Sequence, residues 1–323
     1  MRHLAAWVMM AAAAVCSCDG QQSMLPKSGG RPYEVLVIAK EKPTAAAVDS
    51  VLSQDTEGLP QAEPMFDVSV TDSVHFNQTA KLARNIVIIN IDSTLFTATR
   101  MRYEKNVWAR PQMVVYVNSP SMTALNADLP KAGRQLVSLL TRSEMNTEIS
   151  RLSTSHNAKA GETAGKVSGW SVRIPADMKA GKKGSNFAWF SNNAASGMQN
   201  ICIYSYPADK LSPERALTVR DSVMKVNIPG ERDGMYMQTA RATVRCGMAK
   251  ERGRDILVSR GLWEMHGDAM GGPFVSHSIL DSAKGRVIVA EAFVYAPEMK
   301  KRNLIRQLEA ALYTLDKPDK RKR

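Results

Sequence analysis

An apolar strand, a small residue with proline, and an amphipathic helix follow one another twice in this chain, in VVYVNSPS (residues 114–121) and AFVYAPE (residues 292–298). A phrase that fixes where a sheet hands over to a helix leaves few architectures, and its repetition predicts an α+β protein of two similar halves. Asn85-Ile86-Val87-Ile88 and Asn200-Ile201-Cys202-Ile203 match as well. Between the halves, residues 154–168 have almost no large apolar side chains and are predicted to be a linker. This sets an N-terminal half at 32–153 and a C-terminal half at 169–315. Each is expected to be a mostly antiparallel sheet with amphipathic helices on one face. Whether the shared phrases record a duplication or ordinary strand-to-helix vocabulary stays open at this stage.

The helices are legible from spacing. After Ser119-Pro120-Ser121, the residues Leu125, Leu129, Ala132, Leu136 and Leu140 recur by three and four along one face of a long helix. After Ala296-Pro297-Glu298 a second stripe, Leu304, Ile305, Leu308, Leu312 and Leu315, lies opposite Lys300, Lys301, Arg302 and Arg306. Those four cations are expected on a solvated face.

The N-terminus supplies an address. Met1-Arg2-His3 is a short basic start, residues 4–15 are apolar but too few to span a bilayer, and Cys16-Ser17-Cys18 follows. Val15-Cys16-Ser17-Cys18 resembles a bacterial lipobox, which makes Cys18 the expected lipidation site and residues 1–18 the signal peptide. Cys16 fits less well, because Val15 before it is β-branched. Two or three acyl chains anchor lastingly where one does not. Residues 19–31 are polar with two adjacent glycines and are expected to be a flexible tether.

The chain has 43 Lys and Arg against 31 Asp and Glu, a net charge of +12 over 323 residues. A basic tail at 316–323, DKPDKRKR, contributes five positive and two negative charges. No nucleic-acid recognition motif accompanies the charge, aromatics are only 6% of residues, and an exported protein meets no cellular DNA, so nucleic acid is not an expected partner. Anionic headgroups are the expected attraction, the alternative being a merely solvated end. Cys202 and Cys246 lie in strand-like segments and outside the cytoplasm could pair as a disulfide; the alternative is two buried thiols.

Motifs for chemistry are few. The sequence offers no HExxH and no i,i+4 histidine pair, so no metal or cofactor is expected. His266 and His277 flank a glycine-rich segment, GDAMGGPF, which has the look of a hairpin turn. If its strands pair so as to bring His266, Asp268 and His277 together, they form an acid–base cluster; the alternative is two surface histidines beside a turn. Ser222-Val223-Met224-Lys225 matches SxxK once, without a following KTG, which is what chance gives. Asp-Ser followed by a small or aliphatic residue or Thr occurs five times, against about one expected from composition. That pattern resembles the acceptor site of Bacteroidota protein O-glycosylation, with Ser73 and Ser282 the candidate positions; the alternative is Asp-Ser as turn and helix-end vocabulary, toward which the helical copies at Ser50 and Ser222 lean.

Six phrases, Gly30-Arg31-Pro32-Tyr33-Glu34, Gly58-Leu59-Pro60-Gln61-Ala62-Glu63-Pro64, Ala83-Arg84-Asn85-Ile86, Ala109-Arg110-Pro111-Gln112, Gly261-Leu262-Trp263 and Met270-Gly271-Gly272-Pro273-Phe274, together resemble the domain of unknown function 4837 family of Bacteroidota lipoproteins. The resemblance implies an exported lipoprotein over nearly all of the mature chain, and no catalytic residues. The expectation is therefore an uncharacterised protein lipid-anchored to the cell envelope, at the outer membrane, that binds or scaffolds an envelope partner or ligand. The alternative is an envelope hydrolase with a site near the MGGPF hairpin.

Overall fold

The computed structural model describes residues 25–317. The signal segment 1–18, with Cys18, and the end of the tail, 318–323, lie outside them.

The α+β class and the two-sheet layout hold, but the halves are built differently. The N-terminal half runs β1 (Glu34–Ile38), α1 (Lys42–Leu52), β2 (Asp67–Thr71), β3 (Asn85–Ile91), β4 (Arg100–Lys105), β5 (Met113–Ser119) and α2 (Met122–Thr154). Its sheet has the order β2-β1-β3-β5-β4, with β1, β2, β3 and β5 parallel and only the edge strand β4 antiparallel. This corrects the antiparallel expectation for this half. α1 carries the chain back across the sheet, so β2 enters at the same end as β1. The helices cover one face, where Val48, Leu52, Leu125, Leu136 and Leu140 pack on Val35, Val37, Val87 and Val115. A β-carbon on Gly133 would sit 2.6 Å from Val51 Cγ1, so α1 and α2 touch almost at backbone distance. Loops carrying Phe76 and Trp108 cover the other face.

In the C-terminal half follow α3 (Ala158–Ser168), β6 (Ala180–Lys183), β7 (Phe187–Ser191), β8 (Met198–Pro207), α4 (Pro213–Asn227), β9 (Tyr236–Glu251), β10 (Arg254–His266), β11 (Gly271–Asp281), β12 (Arg286–Tyr295) and α5 (Arg302–Leu312). The sheet is antiparallel throughout, in the order β6-β7-β8-β12-β11-β10-β9. The two halves therefore do not share a topology. Nor are the helices on one face: α3 and α5 pack on the side of Ile201, Ile203, Ile288 and Ala290, while α4 packs on the side of Tyr204, Val289, Phe293 and Trp263. Burial on both faces explains why β8 and β12 are apolar almost throughout.

Segments expected to be loose are held. Residues 154–168 are not a linker: Thr154 ends α2 and α3 occupies most of the rest, capped by the Asn157 side chain, with Ala160, Ala164 and Val167 buried. Small side chains let this helix lie close to the sheet, which is why the segment lacks large apolar residues. The end of the expected tether docks through its backbone, Gly29 N–H donating to Leu82 O at 2.8 Å and Arg110 N–H to Pro26 O at 2.8 Å. At the other terminus Asp316 accepts from Arg252 and Arg254, and Lys317 reaches Asp281, so the expected tail begins folded.

α5 also departs from expectation. Lys301, Arg302 and Arg306 are buried along with its apolar stripe because they face the N-terminal half, and Glu309 is buried against Arg260 and His277 of its own sheet. The Glu63 carboxylate accepts from the backbone N–H groups of Lys301 (2.6 Å) and Arg302 (2.9 Å), capping α5 from across the boundary. Arg302 returns the contact, donating to Pro64 O at 2.5 Å and Asp67 Oδ2 at 2.6 Å.

Candidate functional site

Where the clasp ends, the two halves part into a cleft of about 1320 Å³. One wall is α2, whose Pro130, Arg134, Ser138, Thr141, Met145 and Ile149 recur by three and four along one side. From Asn126 to Ile149 that wall is about 35 Å long at about 1.5 Å per residue. The loop at residues 54–59 closes one side. Opposite lie Arg260 on β10, Val275 on β11, and Ile305, Arg306, Glu309 and Tyr313 on and after α5.

The charged floor of the cleft is built on the α5 face of the C-terminal sheet. Arg260 donates through both terminal nitrogens to the Glu309 carboxylate, Nη1 to Oε2 at 2.7 Å. His277, from the neighbouring strand, places Nε2 3.6 Å from Glu309 Oε1, beyond hydrogen-bond reach, and that buried nitrogen has no partner. The Tyr313 ring packs edge-on against the imidazole at 4.5 Å. Burial alone would raise the Glu309 carboxyl, but the Arg260 charge beside it, with His277, holds it well below the usual carboxylate range. Burial and the Glu309 charge push the Tyr313 phenol up to about 12.

Arg306 is the exception in this network. It is 8% exposed, and its one hydrogen bond among the described residues is a long one, Nη1 to Met65 O at 3.3 Å. Its guanidinium lies 4.5 Å from the centre of the Tyr33 ring, and no described carboxylate comes within salt-bridge distance of it. Burial lowers its pKa, against the opposite pull of Tyr33 and Glu309, and the like charges of Arg302 and Arg260 add to the lowering. Two further buried donors on the walls, Thr56 Oγ1 and Thr141 Oγ1, also lack partners.

The acid–base cluster expected at the glycine-rich hairpin does not assemble. His277 stands opposite Val258 in the β10–β11 ladder, eight residues from His266 along β10, or about 27 Å at about 3.4 Å per residue. His266 is exposed and stacks on Tyr236 at 4.9 Å, while Asp268 bonds the amide of Ala269. MGGPF has a packing reason instead: a β-carbon on Gly272 would meet Val294 O at 2.0 Å, beneath the indole of Trp263, which donates to the same oxygen. Pro273 and Phe274 of that motif do border the cleft.

Cys202 and Cys246 are both free, Cys202 buried and Cys246 exposed. They lie in one cross-strand row, Cys202–Glu291–Ser276–Ser259–Cys246, and so stand four strand spacings apart, about 19 Å. A disulfide between them needs Cα atoms within about 7 Å, so the expected pairing is ruled out. Ser73 and Ser282 are both exposed, Ser73 within a turn closed by Asp72 and Ser282 beside the buried Asp281.

Sequence reasoning missed the residues that make the cleft. Arg302, Arg306 and Glu309 recur at i, i+4 and i+7, a charged stripe that was readable but fits a solvated face equally well. Glu63 stands inside a phrase singled out only for its family likeness.

No helix among the described residues is long and apolar enough to cross a membrane. No curated protein matches the chain. Two family models do, and they meet where the halves meet: domain of unknown function 8532 over residues 28–153 and domain of unknown function 4837 over residues 157–314. The expected coverage of nearly the whole chain is thus corrected, since four of the six phrases fall in the region of the other model. By its C-terminal half, the chain belongs to the domain of unknown function 4837 family.

Proposed function

We propose that this protein is a lipid-anchored envelope protein whose role is to bind a ligand in the cleft between its halves. The observation that carries the reading is a large cleft whose walls come from both halves, with the buried Arg306 on its wall short of partners among the described residues. Binding sites are concave, largely preformed, and favour domain boundaries. The clasp of Glu63 and Arg302 supports preformation, because it fixes α5 against the N-terminal half at the edge of the cleft. The anchoring part rests on the lipobox-like residues before Cys18 and the polar segment after it. The hydrolase alternative loses the convergent residues on which it stood.

Native mass spectrometry of the protein from its own cells, compared with Ser138→Trp, tests the binding role. The wild type is expected to carry a small-molecule adduct that the tryptophan displaces. An adduct-free wild type, or an adduct indifferent to the substitution, contradicts it. For the anchor, Cys18→Ser is expected to move the protein from the membrane fraction to the soluble fraction.

A further inference from the structure

We infer that the cleft takes an anionic amphiphile, a ligand with a carboxylate or phosphate head on an apolar body, and that Arg306 is the residue that receives the head. The inference deepens the binding role proposed above and rests on it.

A guanidinium carries five N–H donors and a charge that never leaves at ordinary pH. Burying such an ion costs several kcal/mol unless a counter-charge or a full set of hydrogen bonds offsets it. Arg306 has one long bond to a carbonyl and the face of Tyr33, and no carboxylate. Two acids near α5 are already engaged, Glu309 by Arg260 and Asp67 by Arg302. Neither carboxylate is free to serve Arg306. The missing partner is an anion of planar or tetrahedral oxygen geometry, which the guanidinium fork matches.

The rest of the ligand is read from the walls. Leu59, Met65, Met145, Ile149 and Ile305 offer apolar surface along an elongated trench. A bare inorganic anion would leave that apolar length unused, and a neutral chain would leave Arg306 unpaired.

Calorimetry on the full chain carrying Cys18→Ser, which needs no detergent, tests this with dodecanoate, dodecyl phosphate and dodecanol below their micelle thresholds, and with acetate and inorganic phosphate as heads without bodies. Both dodecyl anions are expected to bind, at least tenfold more tightly than dodecanol and a hundredfold more tightly than the bare heads. Arg306→Met is expected to lower anion affinity at least tenfold and leave dodecanol unchanged. Should that variant not fold, Arg306→Lys gives the readout, with anions weakened two- to tenfold. Equal binding of dodecanol and dodecanoate, indifference of the anions to Arg306, equal binding of bare and dodecyl phosphate, or no binding of any probe overturns the inference. Ser138→Trp separates the two proposals. Alkyl probes that Ser138→Trp excludes but Arg306 substitutions leave untouched refute the anion site alone. Anion binding lost with Arg306 but insensitive to Ser138→Trp refutes the cleft.

Discussion

Two arginines are buried on opposite faces of the C-terminal sheet, and they are treated differently. Arg220, on α4, is 1% exposed and donates through Nε to both oxygens of Glu291 at 3.0 and 3.1 Å and through Nη1 to Thr239 at 2.8 Å, with its guanidinium 4.0 Å from the centre of the Phe274 ring. Arg306, on α5, is nearly as buried and has no counter-ion among the described residues. The α4 face contains all it needs to offset a buried charge. The α5 face leaves one charge open at the wall of the cleft. Where a fold neutralises a buried ion internally, the ion serves packing; where it does not, the partner is to be sought outside the chain.

The largest expected effect comes from unpairing the neutralised arginine. Glu291→Gln leaves Arg220 without its counter-charge and should cost about 3–5 kcal/mol in urea unfolding. Burial already pushes the Glu291 carboxyl upward despite Arg220, a sign of how dry that pair is. Glu309→Gln should cost less, about 2–3 kcal/mol at neutral pH, since the Arg260 side chain is partly open to water. Its pH dependence has a definite sign. The Glu309 carboxyl is held below its unfolded value, so its contribution is complete above the unfolded range near 4.3 and is lost as pH falls through the folded value. Wild-type and Glu309→Gln stabilities should therefore converge on acidification. Glu63→Ala removes the cap that one half places on the other and should cost about 1–2 kcal/mol, with faster hydrogen exchange at the amides of Lys301 and Arg302. The smallest effect on stability is expected at Arg306: Arg306→Met should change it by less than about 0.5 kcal/mol or raise it, because it removes a buried charge that no described carboxylate pairs. A loss of several kcal/mol there would erase the contrast between the two faces.

Much of this was legible along the chain, and what was not has physical reasons. The α+β class and the two-sheet layout followed from apolar runs and proline-led helix starts. The runs EVLVI, NIVIINI and MVVYVNS also held the parallel pairing of the first sheet, since strands covered on both faces lose their alternation, yet the same runs fit a buried antiparallel strand. The small residues of 154–168 fit a linker as well as a helix packed close to a sheet. The cleft was invisible for a different reason. Arg260, Glu63 and the α5 pair Arg306 and Glu309 come from three separate stretches, and only the folded packing around α5 buries Glu63, Arg306 and Glu309 rather than leaving them solvated. His266 and His277 show the converse, being close in sequence and driven apart by the register of one hairpin.

Crystals of the protein soaked with 12-bromododecanoate, located by the anomalous signal of bromine, show where an anionic amphiphile lies. The expected result is a carboxylate about 3 Å from the Arg306 guanidinium, with the bromine farther along the cleft beside α2. Bromine outside the cleft, or a chain in the cleft whose carboxylate turns away from Arg306, would contradict it.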